Sequence, residues 1–272
     1  RNLKPGCAVG VIEEGQYIHK RGYGLANLEH EIKIDADTIF RIGSVSKQFT
    51  AMTIAILEEK GLLSFDDEMK SHIPDLIDYG EIVTINQMIH HFSGLGDYEY
   101  MDYPGRFKNA IDEEFRWGNE DYLSNDEFHT MIKTLPLIRK PEKKFWYSNN
   151  GYVLLALVAQ NVSGLSLREL ADQEIFSPLG MKNSFFNDNV NLPFKNRADA
   201  YSPIKDSPGK YRINVTNLSW VGDGGVYTSL NDFLKWDQNF YNNKLGKGSP
   251  SLIETMEKTY AQTKVKKRNQ NM

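Results

Sequence analysis

From residue 51 to 57 the chain reads AMTIAIL, with Thr53 the one polar position, so apolar side chains fall on every face of a helix. The helix this predicts is buried all round. It opens near Ser44, and Gly61 supplies the residue type that commonly closes a helix. Ahead of it, 6–13 (GCAVGVIE) and 17–26 (YIHKRGYGLA) are strand-like runs joined through Glu14, Gly15 and Gln16, which predicts a hairpin at the edge of an antiparallel sheet. Residues 35–38 read as a turn and 42–43 as the end of a short extended run. Helical spacing of apolar residues recurs at 66–73, 84–92, 125–135 and 149–163, with Thr84 and Ser124 as caps. The stretch 94–118 between them is rich in aromatic and acidic residues and has little periodicity. Residues 178–180 (PLG) mark a break and 183–210 read as loop, whereas 220–229 (WVGDGGVYTS) read as a turn feeding a strand that returns to the sheet. Two amphipathic helices follow at 231–241 and 251–260. The expected class is α/β in the α+β sense: a sheet-containing lobe formed by 1–63 with 177–272, and a mostly helical lobe at 64–176.

Composition narrows the setting without naming a chemistry. With 272 residues the chain can bury a sizeable core, and its 40% hydrophobic and 25% charged content is ordinary for a globular protein. A net charge of -4 with pI near 5.9 carries no polyanion-binding signature, which argues against a nucleic-acid partner. No apolar run approaches the roughly 18 residues of a membrane span. The single cysteine, Cys7, leaves no internal disulfide to form and, with no basic partner nearby in sequence, is expected in the core. The chain opens on Arg1 and enters a strand almost at once, which fits the removal of a signal peptide or leading segment, and 264–272 (KVKKRNQNM) reads as a loose basic tail or an interrupted chain.

The candidate chemistry lies where the buried helix begins. Ser44 and Lys47 are three apart, a spacing that stacks side chains on one helix face and brings an ammonium within reach of a hydroxyl. A helix start favours negative charge and a capping box calls for Glu or Gln at the position of Lys47, so capping does not explain the lysine. Its neutral form, able to accept a proton, is favoured there. Against this stands the plain alternative that Ser44 caps the helix while Lys47 reaches into water. Two further Ser-x-x-Lys pairs, Ser202/Lys205 and Ser207/Lys210, contain Pro203 and Pro208-Gly209, which oppose helix and would not stack the pair.

A second element, KFWYSNNGY at 144–152, immediately precedes the apolar run 153–158. Tyr147 offers a phenol that can pass protons and Asn149 an amide that can bind a carbonyl. The alternative is that Asn149 caps the helix and Tyr147 packs. His90 and His91 are adjacent, so on a helix they face different ways and are expected as one core and one surface residue rather than as metal ligands.

Taken in order, PGCAVGVIEEG, DTIFRIGSVSKQFTA, HHFSGLGDY, KFWYSNNGYVLLALVAQNVSG, IFSPLGMKNSFF and GDGGVYTSLNDFLKW resemble the serine β-lactamase, penicillin-binding protein and related esterase family over nearly the whole chain. The likeness is to its class C, D-alanyl-D-alanine carboxypeptidase and family VIII-type esterase branch. The resemblance implies a β-lactamase/transpeptidase-like fold, an antiparallel sheet flanked by helices plus the helical lobe. It implies Ser44 as the acylated nucleophile, Lys47 as its partner, Tyr147 as proton shuttle and Asn149 as a ligand for the substrate amide. Leu95, Asp97 and Tyr98 would belong to the loop lining the substrate cleft. Lys47 and Tyr147 both stay open as the base.

One family element is missing. The Lys-Thr-Gly or His-x-Gly strand that would supply the second oxyanion donor does not occur: no histidine follows His129, and Lys258-Thr259-Tyr260 lacks the glycine and reads as helical. By that resemblance, C-terminal sheet strands are missing from these 272 residues or come from another chain. The expected function is a serine hydrolase acting through an acyl-enzyme on a β-lactam, a D-Ala-D-Ala peptide or a carboxylic ester, with no metal or cofactor. The alternative is a non-catalytic relative that binds a peptide or protein. No Gly-x-Ser-x-Gly elbow supports an unrelated lipase-like esterase. The partner implied is a small-molecule or peptide substrate, and the resemblance implies a periplasmic or secreted setting.

Overall fold

The N-terminal hairpin forms where the pattern predicts it. Strand β1 (Cys7–Glu13) pairs antiparallel with β2 (Gln16–Tyr23), and the turn residues Glu14 and Gly15 take φ of 49° and 73°, the hand that matches strand twist. The computed structural model of the chain describes residues 4–98, 125–216 and 218–261. The expected cap at Ser124, most of the stretch 94–118 and the basic segment 264–272 lie outside the described residues. Along β1, Ala8, Gly10 and Ile12 turn inward while Cys7, Val9, Val11 and Glu13 are exposed. Cys7 is therefore a surface residue, which corrects the expectation of a core cysteine: period-two alternation puts it on the same face as Glu13.

The remaining strands are short. β3 (Leu25–Asn27) pairs with β4 (Ile32–Lys33); β5 (Phe40–Arg41) and β6 (Phe185–Phe186) flank β9 (Val226–Thr228); β7 (Tyr201–Pro203) pairs with β8 (Tyr211–Ile213). All these pairs are antiparallel, with Arg41 and Phe185 both opposite Tyr227 in the three-stranded sheet. β6 and β7 fall inside 183–210, which the sequence pattern reads as loop. Strands of two or three residues are too short for a period to register, and their partners are remote in sequence.

Helix α1 (Lys47–Glu59) is the buried helix, preceded by a 3₁₀ turn at Gly43–Ser46. It ends in a double hydrogen-bonded closure: the Gly61 N–H donates to the Glu58 carbonyl (2.8 Å) and the Leu62 N–H to the Leu57 carbonyl (3.0 Å), with Gly61 at φ 71°. Next come α2 (Met69–His72), α3 (Ile85–Ile89), α4 (Asn125–Ile132) and α5 (Asn149–Ser163). α2 and α3 are shorter than their patterns suggest, and α5 spans its pattern from end to end. Thr84 caps α3 in a capping box with Gln87. Then follow α6 (Leu167–Ala171), α7 (Leu230–Tyr241) and α8 (Pro250–Glu257).

α1 packs against α5, α6 and α8. Met52, Ile54 and Ile56 from α1 and Val153, Leu154, Leu155 and Val158 from α5 are fully buried in one continuous core. Each such side chain contributes about 1.5–3 kcal/mol relative to exposure. The first residues of α1 and α5 thus meet at one end of a rigid pair. No single helix among the described residues is long and apolar enough to cross a membrane.

Candidate active site

The Gly43–Ser46 turn is clamped to the three-stranded sheet. The Ile42 N–H donates to the Val226 carbonyl (3.0 Å), and the Val226 N–H donates back to Ser46 Oγ (3.0 Å). In a 3₁₀ turn, residues three apart eclipse, so the turn stacks Lys47 over Ser44 more closely than an α-helix does. Ser44 is exposed and Lys47 is 6% exposed. Lys47 Nζ lies 3.3 Å from Ser44 Oγ, 2.7 Å from Asn149 Oδ1 and 2.6 Å from the Asp223 carbonyl oxygen. The three N–H bonds of an ammonium find three acceptors. The plain alternative for this pair fails on both counts: no serine side chain caps this turn or α1, and the lysine points inward.

At the mouth of α5 the cap is Ser148, whose Oγ accepts from the Gly151 N–H (3.1 Å) and donates to the Gly96 carbonyl (2.7 Å). Asn149 is thereby released from capping. Its side-chain oxygen meets Lys47, its Nδ2 donates to Asp97 Oδ1 (3.3 Å), and its backbone N–H donates to Asp97 Oδ2 (3.0 Å). Leu95 and Asp97 are each 2% exposed, so both act here as supports, Leu95 packing on Gly151 and Asp97 orienting Asn149. Tyr98, half-buried, donates its hydroxyl to Asp223 Oδ2 (2.5 Å). Burial pushes the Asp223 carboxyl above the usual carboxylate range, against the pull of the Tyr98 hydrogen bond and of Lys47.

The turn that presents the Asp223 carbonyl needs its glycine. Gly222 has φ 115°, and a Cβ there would stand 2.5 Å from the Tyr152 carbonyl oxygen and 2.8 Å from Ala156 Cβ. Its own carbonyl accepts from Thr50 Oγ1 (2.7 Å), which ties the turn to α1.

Tyr147 lies at the exposed side of the cluster, with Lys47 Nζ 4.8 Å from its ring centroid. Beneath it lies His91, with ring centroids 4.5 Å apart and planes 28° from parallel. This corrects the expectation that His90 and His91 divide a helix between core and surface. α3 stops at Ile89, His91 takes φ 61°, and both histidines are half-buried. Burial foremost, with the neighbouring Lys47 and His90 charges, pushes the His91 imidazole down to about 4.

The residues at 258–260 lie beyond α8 rather than in a helix. His90 Nε2 approaches the Lys258 carbonyl (3.2 Å), and the Tyr260 ring packs on His90 (5.1 Å) and Phe92 (4.7 Å). A cleft of about 820 Å³ beside the β1–β2 turn, lined by Glu14, Gln16, Lys235 and Tyr241 among others, shares no residue with the Ser44 cluster.

The beta-lactamase family model matches residues 2–271. Penicillin-binding protein 4* of Bacillus subtilis is 28% identical over 243 residues, covering 85% of this chain and 51% of the relative. A D-aminopeptidase of Gluconobacter oxydans is 26% identical over 235 residues, covering 86% and 42%. The chain thus spans about half the length of the curated relatives it matches. Among solved structures, the octameric penicillin-binding protein homologue from Pyrococcus abyssi superposes with a TM-score of 0.79 at 28% identity, over 98% of this chain and 58% of the other.

Proposed function

The chain belongs to the beta-lactamase family, and from that premise we propose that it is a serine hydrolase working through an acyl-enzyme on Ser44. The observation that carries the reading is the approach of Lys47 Nζ to Ser44 Oγ at 3.3 Å, with the lysine buried and the serine exposed. An exposed hydroxyl can meet an acyl carbon, and its proton needs a nearby acceptor as it attacks. Ser44 Oγ attacks the carbonyl carbon as its proton passes to the unprotonated member of the Lys47/Tyr147 pair. The collapsing tetrahedral intermediate expels the leaving group, which takes a proton from the same pair. Water then attacks the Ser44 ester, with the proton route reversed. Asn149, oriented by Asp97, is the amide beside the acyl chain. The Ser44 backbone N–H serves as one oxyanion donor.

The substrates we propose are a β-lactam, a peptide ending in D-alanine or a carboxylic ester. One relative carries the name penicillin-binding protein, which supports including the β-lactam, and another the name D-aminopeptidase, which supports including a peptide as a substrate class. The test is turnover of benzylpenicillin, a D-Ala-D-Ala peptide and p-nitrophenyl acetate by the wild type and by Ser44→Ala. Loss of the active reaction in Ser44→Ala supports the reading, and equal turnover by both proteins removes it.

A further inference from the structure

His91 makes three separate contacts with the Tyr147 segment. Its carbonyl accepts from the Trp146 N–H (2.8 Å), its Nδ1 accepts from the Ser148 N–H (3.2 Å), and its ring stacks on the Tyr147 ring at 4.5 Å. The residues before and after Tyr147 are therefore held by one side chain and its own backbone, and Tyr147 itself is held by the face of that ring. Nδ1 as acceptor fixes the tautomer with the proton on Nε2.

The backbone of His91 is as informative as its ring. α3 closes as α1 does: the His91 N–H donates to the Met88 carbonyl (3.2 Å) and the Phe92 N–H to the Gln87 carbonyl (2.7 Å). Gly61 fills the left-handed position in α1, whereas His91 fills it in α3 at φ 61°. Glycine is the unstrained choice at that position, so helix closure alone does not account for an imidazole there. The ring is kept neutral beside the Lys47 charge, and it also touches Tyr152 (5.2 Å) and Phe145 (5.6 Å).

We infer that His91 is a positioning residue that sets the Tyr147 ring against Lys47 and so holds its hydroxyl for proton transfer at Ser44. The inference rests on the hydrolase reading above and adds a residue that acts through Tyr147 without touching substrate.

The test uses His91→Asn, which tolerates positive φ and keeps the carbonyl contact but removes the ring. With p-nitrophenyl acetate, kcat is expected to fall by about tenfold or more while KM stays within about twofold. In a Tyr147→Phe background the same change should alter kcat by less than about twofold, because the hydroxyl that His91 positions is already gone. An unchanged kcat for His91→Asn overturns the inference, and so does an equal fractional loss in both backgrounds. If the wild type neither turns over nor takes a label, the hydrolase reading fails, and the positioning claim is then judged from a crystal structure of His91→Asn. A Tyr147 ring displaced from Lys47 supports it, and a ring that stays in place overturns it.

Discussion

Lys47 Nζ donates to Asn149 Oδ1 across 2.7 Å, although 102 positions separate the two residues. This bond joins the first residues of α1 and α5 and puts a cation between two buried helices. A buried charge is tolerated only where its hydrogen bonds are complete, and here Ser44, Asn149 and Asp223 complete them. The site is therefore a consequence of how the two helices pack, and disturbing it is felt in both stability and chemistry.

Lys47→Met separates those two effects. The methionine fills the space but leaves the Asn149 amide oxygen and the Asp223 carbonyl without their donor, at a cost of about 1–3 kcal/mol for each buried acceptor. Urea unfolding should register that loss, and acylation of Ser44 should slow by about a hundredfold or more. A variant that acylates at the wild-type rate would show that the lysine is only structural.

Gly222→Ala tests the turn behind the site. A Cβ 2.5 Å from the Tyr152 carbonyl oxygen, on a backbone at φ 115°, forces α5 and the turn apart. The expected cost is about 2 kcal/mol or more from overpacking and backbone strain together. A melting temperature within a degree of the wild type would contradict the close approach.

His91 makes stability fall in acid. Its imidazole is pushed down to about 4 in the folded chain, from an ordinary value of 6.5, so between those values the unfolded chain binds more protons. The stabilisation is complete above about pH 6.5 and is lost as pH falls towards 4. At 1.36 kcal/mol per unit it amounts to about 3 kcal/mol at most. The raised Asp223 carboxyl works in the opposite sense, losing stabilisation as pH rises, so the contrast must be drawn between wild type and His91→Asn. The difference in their unfolding free energies should shrink on acidification, and a constant difference would contradict the buried neutral ring.

Much of this site was legible because its signals are local. The three-residue spacing of Ser44 and Lys47 and the apolar run of α1, interrupted only by Thr53, each sit within a few residues, whereas the cap of α5 is Ser148 rather than the Asn149 the pattern offers. What could not be read depends on remote partners. β6 and β7 are too short to show a period, and Cys7 lies outward because the hairpin packs on its other face. The role of His91 is hidden because helical spacing read over 84–92 places it within a helix, whereas α3 closes at Ile89 and the chain turns the ring inward. The run His90-His91-Phe92-Ser93-Gly94 after an apolar pattern did carry a stop signal in Gly94, and a closure by histidine has no compositional mark. α6 had one: Ser166 and Glu169 form a capping box that the sequence displays openly.

The central claim is that Ser44 becomes covalently acylated. The measurement is the intact mass of the protein before and after incubation with a penicillin and, separately, with p-nitrophenyl acetate, for the wild type and Ser44→Ala. The account predicts a gain of one acyl group in the wild type with at least one reagent, and none in Ser44→Ala. An adduct that persists in Ser44→Ala, or a wild-type protein that neither gains mass nor turns over either reagent, would contradict it, the second outcome favouring a relative that binds without reacting.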